Sequence, residues 1–236
     1  MFMIRTSYLD CCFENRCVAR LVSSRVGLLS TKLQAIITVR TLSHMICLPP
    51  SEVERRFALL GIPNQFSKTE KQALATTPIV EPGERVFGFP TPEANAGLNL
   101  LNLREILGTD RAKPPSFFDH PWYLNEPFGR EDCDPGWHFL YTEVLPDSIS
   151  QPVDYASSLT RQGLELPTAT EVVLMLFLHY AGSGEHLLQK KHTWCKDRAS
   201  GDRFVTIGAF GRNGVFVSAH PGNYTSRGLG LCPRRI

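Results

Sequence analysis

The 236-residue chain has no apolar run long enough to span a bilayer. Its longest, "VVLMLFL" at 172–178, is seven residues, against the roughly 18 that a spanning helix needs. No C-x-x-C occurs among the seven cysteines (Cys11, Cys12, Cys17, Cys47, Cys133, Cys195, Cys232), which argues against a zinc ribbon or a thioredoxin-type redox pair. No G-x-S-x-G is present, so the sharp strand-to-helix turn that exposes a hydrolase serine is not written here. A concentrated basic charge is missing as well. Residues 1–44 hold six Lys/Arg against Asp10 and Glu14, a balance of +4, which leaves 19 basic and 21 acidic groups over the other 192 residues. A near-neutral body gives no reason to expect nucleic acid as a partner.

Hydrophobic residues at 42% and charged residues at 20% are ordinary globular values, and 236 residues can bury a substantial core. Scattered single cysteines suit a reduced compartment, and no clean secretory h-region opens the chain, so a cytoplasmic location is expected. Residues 1–44 differ in charge and crowd three cysteines into 17 positions. They read as a leader, either a transit-like segment or an upstream start with Met45 as the true one.

From Met45 onward the pattern becomes that of a domain. Ser51 and Glu54 have capping-box spacing, followed by Val53, Phe57 and Leu60 on one helical face and Gly61 as a stop. Ser67 and Glu70 repeat the box. Residues 78–116 are rich in Pro and Gly around one predicted helix, "LNLLNLREIL" at 98–107, and read as an irregular wrapping segment rather than a sheet. The aromatics of 112–128 (Phe117, Phe118, Trp122, Tyr123, Phe128) sit beside prolines, the habit of loops pinned onto a core.

"GWHFLYTEVLP" at 136–146 alternates as a strand does. In "LPTATEVVLMLFLHYAGSGE" a third capping box, Thr168 and Glu171, opens a helix that is apolar all round, and Gly182-Ser183-Gly184 ends it. Such a helix must be almost wholly buried. "RFVTIGAF", "GVFVSA" and "LGLCPR" then read as three strands, the first two joined by the tight turn "GRNG" at 211–214. The expected class is α+β, with a buried helix and a short antiparallel sheet in a domain at 115–236, preceded by a small helical and irregular region at 45–114.

Chemistry is sparse. His186, His192 and Cys195 fall within ten residues, but closed zinc sites bring ligands in tight pairs. Lys190, Lys191 and His192 read as a solvated connection, and Gly208, Gly211 and Gly214 as turn and bulge glycines, because strands flank them on both sides. No metal or other cofactor is expected, and nothing in the residue types supports catalysis.

Two family resemblances add to this reading. "LPTATEVV" resembles the helix start of formylglycine-generating enzymes, whose core is C-type-lectin-like. Those enzymes use a cysteine pair in a context that Cys195 and Cys232 do not share, so the likeness implies the fold, and a modifying enzyme or oxidoreductase, or a structural protein of unknown role, stands as the alternative function.

A fuller likeness covers about 115–236. Pro135-Gly136-Trp137, Leu166-Pro167 with Glu171, Gly184-Glu185 with Leu187-Leu188, Trp194, Ile207-Gly208-Ala209-Phe210, Gly214-Val215-Phe216-Val217 and Gly228-Leu229-Gly230 with Arg234-Arg235 follow the order seen in variable proteins of diversity-generating retroelements. That resemblance implies a non-catalytic binding protein whose stretch "SAHPGNYTSR", 218–227, is diversified by adenine-directed mutagenesis. The ligand would be a protein or a glycan. The candidate binding residues are Ser218, His220, Asn223, Tyr224 and Ser226, exposed and clustered, with Val215, Val217, Leu229 and Leu231 buried beneath. These are also the residue types of an adaptable binding loop, with Tyr giving rigid amphipathic area and Ser and Asn giving polar contacts.

Overall fold

A computed structural model describes residues 46–63, 65–76, 85–93 and 97–236. The expected leader at 1–44 lies outside them. In chain order the elements are β1 (Ile46–Cys47), α1 (Pro50–Leu60), α2 (Lys68–Ala73), β2 (Val86–Thr91), α3 (Leu100–Leu107), β3 (Gly136–Tyr141) and β4 (Leu164–Glu165). They continue with α4 (Ala169–Ser183), β5 (His192–Ala199), β6 (Arg203–Gly211), β7 (Gly214–Pro221), β8 (Leu229–Gly230) and β9 (Arg234–Arg235). The class is α+β. Among the described residues two sheets stand where one short antiparallel sheet was expected, in the orders β1-β2-β3-β9-β4 and β7-β6-β5-β8. Each holds one parallel pair, β1 with β2 and β5 with β8.

The helix α4 is the centre of the packing. Thr168 Oγ1 accepts from Glu171 N at 3.1 Å and Glu171 Oε2 accepts from Thr168 N at 2.6 Å, so the predicted capping box forms. Gly184, at φ 73°, closes the other end. Every residue from Ala169 to His179 is buried. Val172 to Leu178 share one core with Phe87, Phe89 and Leu140 of the first sheet and Val205, Ile207, Val215 and Val217 of the second. Each such apolar side chain taken fully out of water contributes about 1.5–3 kcal/mol.

The same core takes in Val53 and Phe57 of α1 and Leu103 of α3, and Arg56 Nη1 donates to Leu178 O at 2.8 Å. The boundary expected at 114/115 therefore does not separate two cores. The wrapping segment also contains a strand. β2 is buried at all six positions and pairs with β3 from Val86↔Tyr141 to Thr91↔Gly136, which corrects the reading of 78–116 as lacking sheet. Burial on both faces removes the alternation that marks a strand. Pro90 is tolerated because it lies beyond the last residue that β1 pairs, Gly88.

At α1 the helix starts two residues earlier than the S-x-x-E spacing implied. Pro50 occupies the first turn, where a missing N–H costs nothing. Pro49 is the N-cap, without a side-chain cap. Glu54 instead accepts from Phe66 N at 2.8 Å and pairs with Lys71 at 2.7 Å. The second box, Ser67 with Glu70, forms as read.

The C-terminal strand divides into two. β8 pairs with β5 of the second sheet, and β9 pairs with β3 and β4 of the first. Between them Leu231 N donates to Ser148 Oγ at 2.8 Å and Cys232 N to Thr193 Oγ1 at 2.7 Å. Pro233 has no N–H to give a ladder, which suits the crossing. Arg234 Nη1 donates to Glu171 Oε1 at 2.6 Å, so the tail ties both sheets to the start of α4.

Candidate functional site

Strand register decides what the second sheet shows to solvent. Residues directly opposite on neighbouring antiparallel strands share a face. Thr206 stands opposite both Trp194 and Ser218, Gly208 opposite His192 and Phe216, and Phe204 opposite His220. The other face, with Val205, Ile207 and Val217, lies in the core with α4. At one end of the outer face Trp194 and Leu229 are roofed by Val153 and Leu159. The rest is open and forms a concavity of about 330 Å³.

This register depends on a bulge between Gly208 and Gly211. Gly208 passes so close to β5 that a Cβ would meet Lys191 O at 2.1 Å, so only glycine fits there. Ala209 takes the left-handed conformation, φ 44°, and donates from its N–H to Lys191 O at 2.8 Å. A one-residue slip would turn Thr206 away from the concavity.

Ser218, His220, Tyr224 and Ser226 line the concavity together with His192, Thr206 and Phe216. Four of the five residues singled out in the sequence thus come together. Asn223 is exposed but does not line it. Ser218, His220 and Ser226 are half-buried rather than exposed, and Ser218 and His220 belong to β7 rather than to a loop. Val215, Val217, Leu229 and Leu231 are buried, at 0–3% exposure. The 222–228 turn is held at both ends. Tyr224 N donates to Pro221 O at 2.9 Å, Leu229 N to Ser226 O at 3.0 Å, His192 N to Gly228 O at 2.7 Å and Val153 N to Gly222 O at 3.0 Å.

The rings in the site are ordered by contact. His220 and Tyr224 stack at 4.2 Å and 11°. His192 meets Phe216 edge-on at 6.1 Å, and Phe216 rests against Phe118 at 4.7 Å. Burial, and then the neighbouring His220, lowers the pKa of His192 from 6.5. Burial, and then Arg203, does the same for His220. Both imidazoles are therefore uncharged at pH 7, and among the described residues no Asp, Glu, Lys or Arg lines the concavity. The hydroxyl of Thr206 is buried and has no hydrogen-bond partner among the described residues.

His192, Thr206 and Phe216 were not among the sequence candidates. The parity of "RFVTIGAF" against "GVFVSAH" is a signal for Thr206 and Phe216, but it requires knowing the bulge. The predicted solvated connection at His192 is instead the first residue of β5.

Cys195 and Cys232, weighed for catalysis, are fully buried thiols outside the concavity. Burial pushes both well above the ordinary cysteine range, which leaves them protonated and unreactive. Among the described residues no cluster of three or more His, Cys, Asp or Glu could hold a metal, and no helix is long and apolar enough to cross a membrane. Family models, curated proteins and solved structures were compared with the chain, and none matches it.

Proposed function

We propose that the α+β unit is a C-type-lectin-like domain acting as a non-catalytic binding protein, and that 218–227 is its diversifiable surface, as in the variable proteins of diversity-generating retroelements. The observation that carries this reading is the convergence of Ser218, His220, Tyr224 and Ser226 on one concavity while Val215, Val217, Leu229 and Leu231 lie in the core. Alternate residues of one stretch thus divide between recognition and scaffold. The hydrogen bonds that hold 222–228 at both ends limit the ordering entropy a ligand must offset. Tyr224, 41% exposed at the rim, is the expected hot spot, because aromatic anchors dominate such interfaces.

The surrounding DNA tests the proposal. A reverse transcriptase gene nearby, with a near-copy of the 3′ end of this reading frame differing at adenines within the codons for 218–227, is the expected finding. A frame with neither feature beside it would contradict the retroelement reading.

A further inference from the structure

A second recess lies between the 109–113 turn and the tip of the β6–β7 hairpin, where two adjoining hollows of about 330 and 440 Å³ share Arg111 and Asn213. Backbone contacts fix the two turns against each other. Val215 N donates to Ser116 O at 2.8 Å, Phe118 N to Val215 O at 2.9 Å and Phe117 N to Gly108 O at 2.9 Å. Gly214 runs so close to this segment that a Cβ would meet Phe117 C at 2.5 Å. The charges within the recess do not cancel. Asp119 is paired with Arg104 at 3.0 Å, and Asp110 accepts from Ala112 N at 2.9 Å and faces Lys113 at 3.9 Å. Arg111 and Arg212 are exposed and, among the described residues, have neither an acidic partner nor a hydrogen bond.

We propose that this recess docks an acidic peptide segment of a partner protein, with its Asp or Glu carboxylates on Arg111 and Arg212. The proposal rests on the binding-surface reading above and narrows the partner to a protein. A guanidinium is always charged, and its planar fork fits a carboxylate through two parallel hydrogen bonds. Two arginines suit two carboxylates on one segment, and the Asn213 amide can both donate to and accept from the peptide backbone between them. The half-buried Phe118 ring gives the acidic side chains an apolar wall for their stems. A compact dianion such as phosphate fits less well, because Asp110 and Asp119 border the same recess and repel concentrated negative charge. The recess adjoins the concavity on the outer face of the sheet. Phe118 in its wall touches Phe216 at 4.7 Å, and Phe216 lines the concavity. Arg111 and Arg212 fall outside 218–227, so they remain constant while that stretch varies. They supply the electrostatic steering that the uncharged concavity lacks.

The test is an NMR titration of the full chain, read at the guanidinium Nε–Hε signals of Arg111 and Arg212. The probe is a terminally blocked tetraglutamate peptide, with blocked tetraglutamine as the neutral control and a blocked phosphoserine peptide as the dianionic alternative. Tetraglutamate should move both arginines saturably, and tetraglutamine should move neither. Arg111→Gln and Arg212→Gln should each weaken tetraglutamate about three- to fivefold. Both should melt with the parent, because the side chains are exposed. Arg161→Gln removes an equal charge at an exposed position outside the recess and should leave the affinity unchanged. Tighter binding of the phosphoserine peptide than of tetraglutamate would overturn the ligand class. No movement with tetraglutamate, or as large a loss in Arg161→Gln as in Arg111→Gln, would overturn the recess as a docking site. Either result would leave the retroelement reading standing, since that reading is judged by the neighbouring DNA.

Discussion

At the start of α4 the Glu171 carboxylate accepts from Thr168 N, from His138 Nδ1 at 2.8 Å and from Arg234 Nη1 at 2.6 Å, in surroundings that leave the residue 2% exposed. Burial pushes its pKa up, but His138, Thr168 and Arg234 together outweigh burial and hold it at about 2, against an ordinary 4.5. A carboxyl depressed on folding contributes stability that is complete above its unfolded value and lost as pH falls through the folded one. The Glu171 contribution should therefore be intact above 4.5 and disappear towards 2. Glu171→Ala at pH 7 should cost about 3–5 kcal/mol, because it strands buried partners, whereas Thr168→Ala removes a cap and should cost about 1 kcal/mol. Equal losses in chemical denaturation would show that Glu171 is only a cap. Asp197 runs the other way. Its Oδ2 accepts from Ala169 N at 2.7 Å, yet burial raises its pKa from 3.8 to about 6. Here the folded state binds the proton more tightly, so the Asp197 contribution to stability is greatest below 3.8 and declines as pH rises to about 6. Asp197→Asn keeps an acceptor for Ala169 N and should flatten that decline in a pH series of melting curves. An unchanged slope would contradict the assignment.

Elements differ in how plainly they were written. The helix α4 was legible because a capping box, a continuous apolar run and a terminal glycine agree with one another. Its burial predicts that Leu176→Asp, at a position with no exposure, prevents folding. An unpaired buried carboxylate costs several kcal/mol, a large part of a domain's stability of about 5–15 kcal/mol. Soluble protein with the parental melting temperature would show the helix to be exposed. The two long strands that the sequence conceals, β2 and β5, have physical reasons. In β2, burial on both faces and a proline hide the period of two. In β5, "HTWCKDRA" places Trp194 and Cys195 on opposite faces, each in an apolar core, so neither a run nor an alternation stands out. The first capping box failed because Pro50 offers the helix an earlier start than Ser51 does. The last strand was read as continuous, since the partners that divide it, Ser148 and Thr193, are distant in sequence.

For the molecule as a whole, the candidate site was half legible. The residue types of 218–227 marked a surface. The concavity also needs His192, Thr206 and Phe216, which only the bulged register of β6 brings onto the same face. The central claim is a division of labour, a display surface on a scaffold indifferent to what it displays. The most direct test is the thermal melting of a variant with Ser218, His220, Asn223, Tyr224 and Ser226 all replaced by alanine. Changes away from caps and buried networks are usually within about 0.5 kcal/mol each, and the core beneath, Val215, Val217, Leu229 and Leu231, is untouched. The account predicts a cooperative transition within a few degrees of the parent. A drop of more than about 10 °C, or loss of the cooperative transition, would mean that these side chains hold the fold together, and the surface would then be packing rather than display.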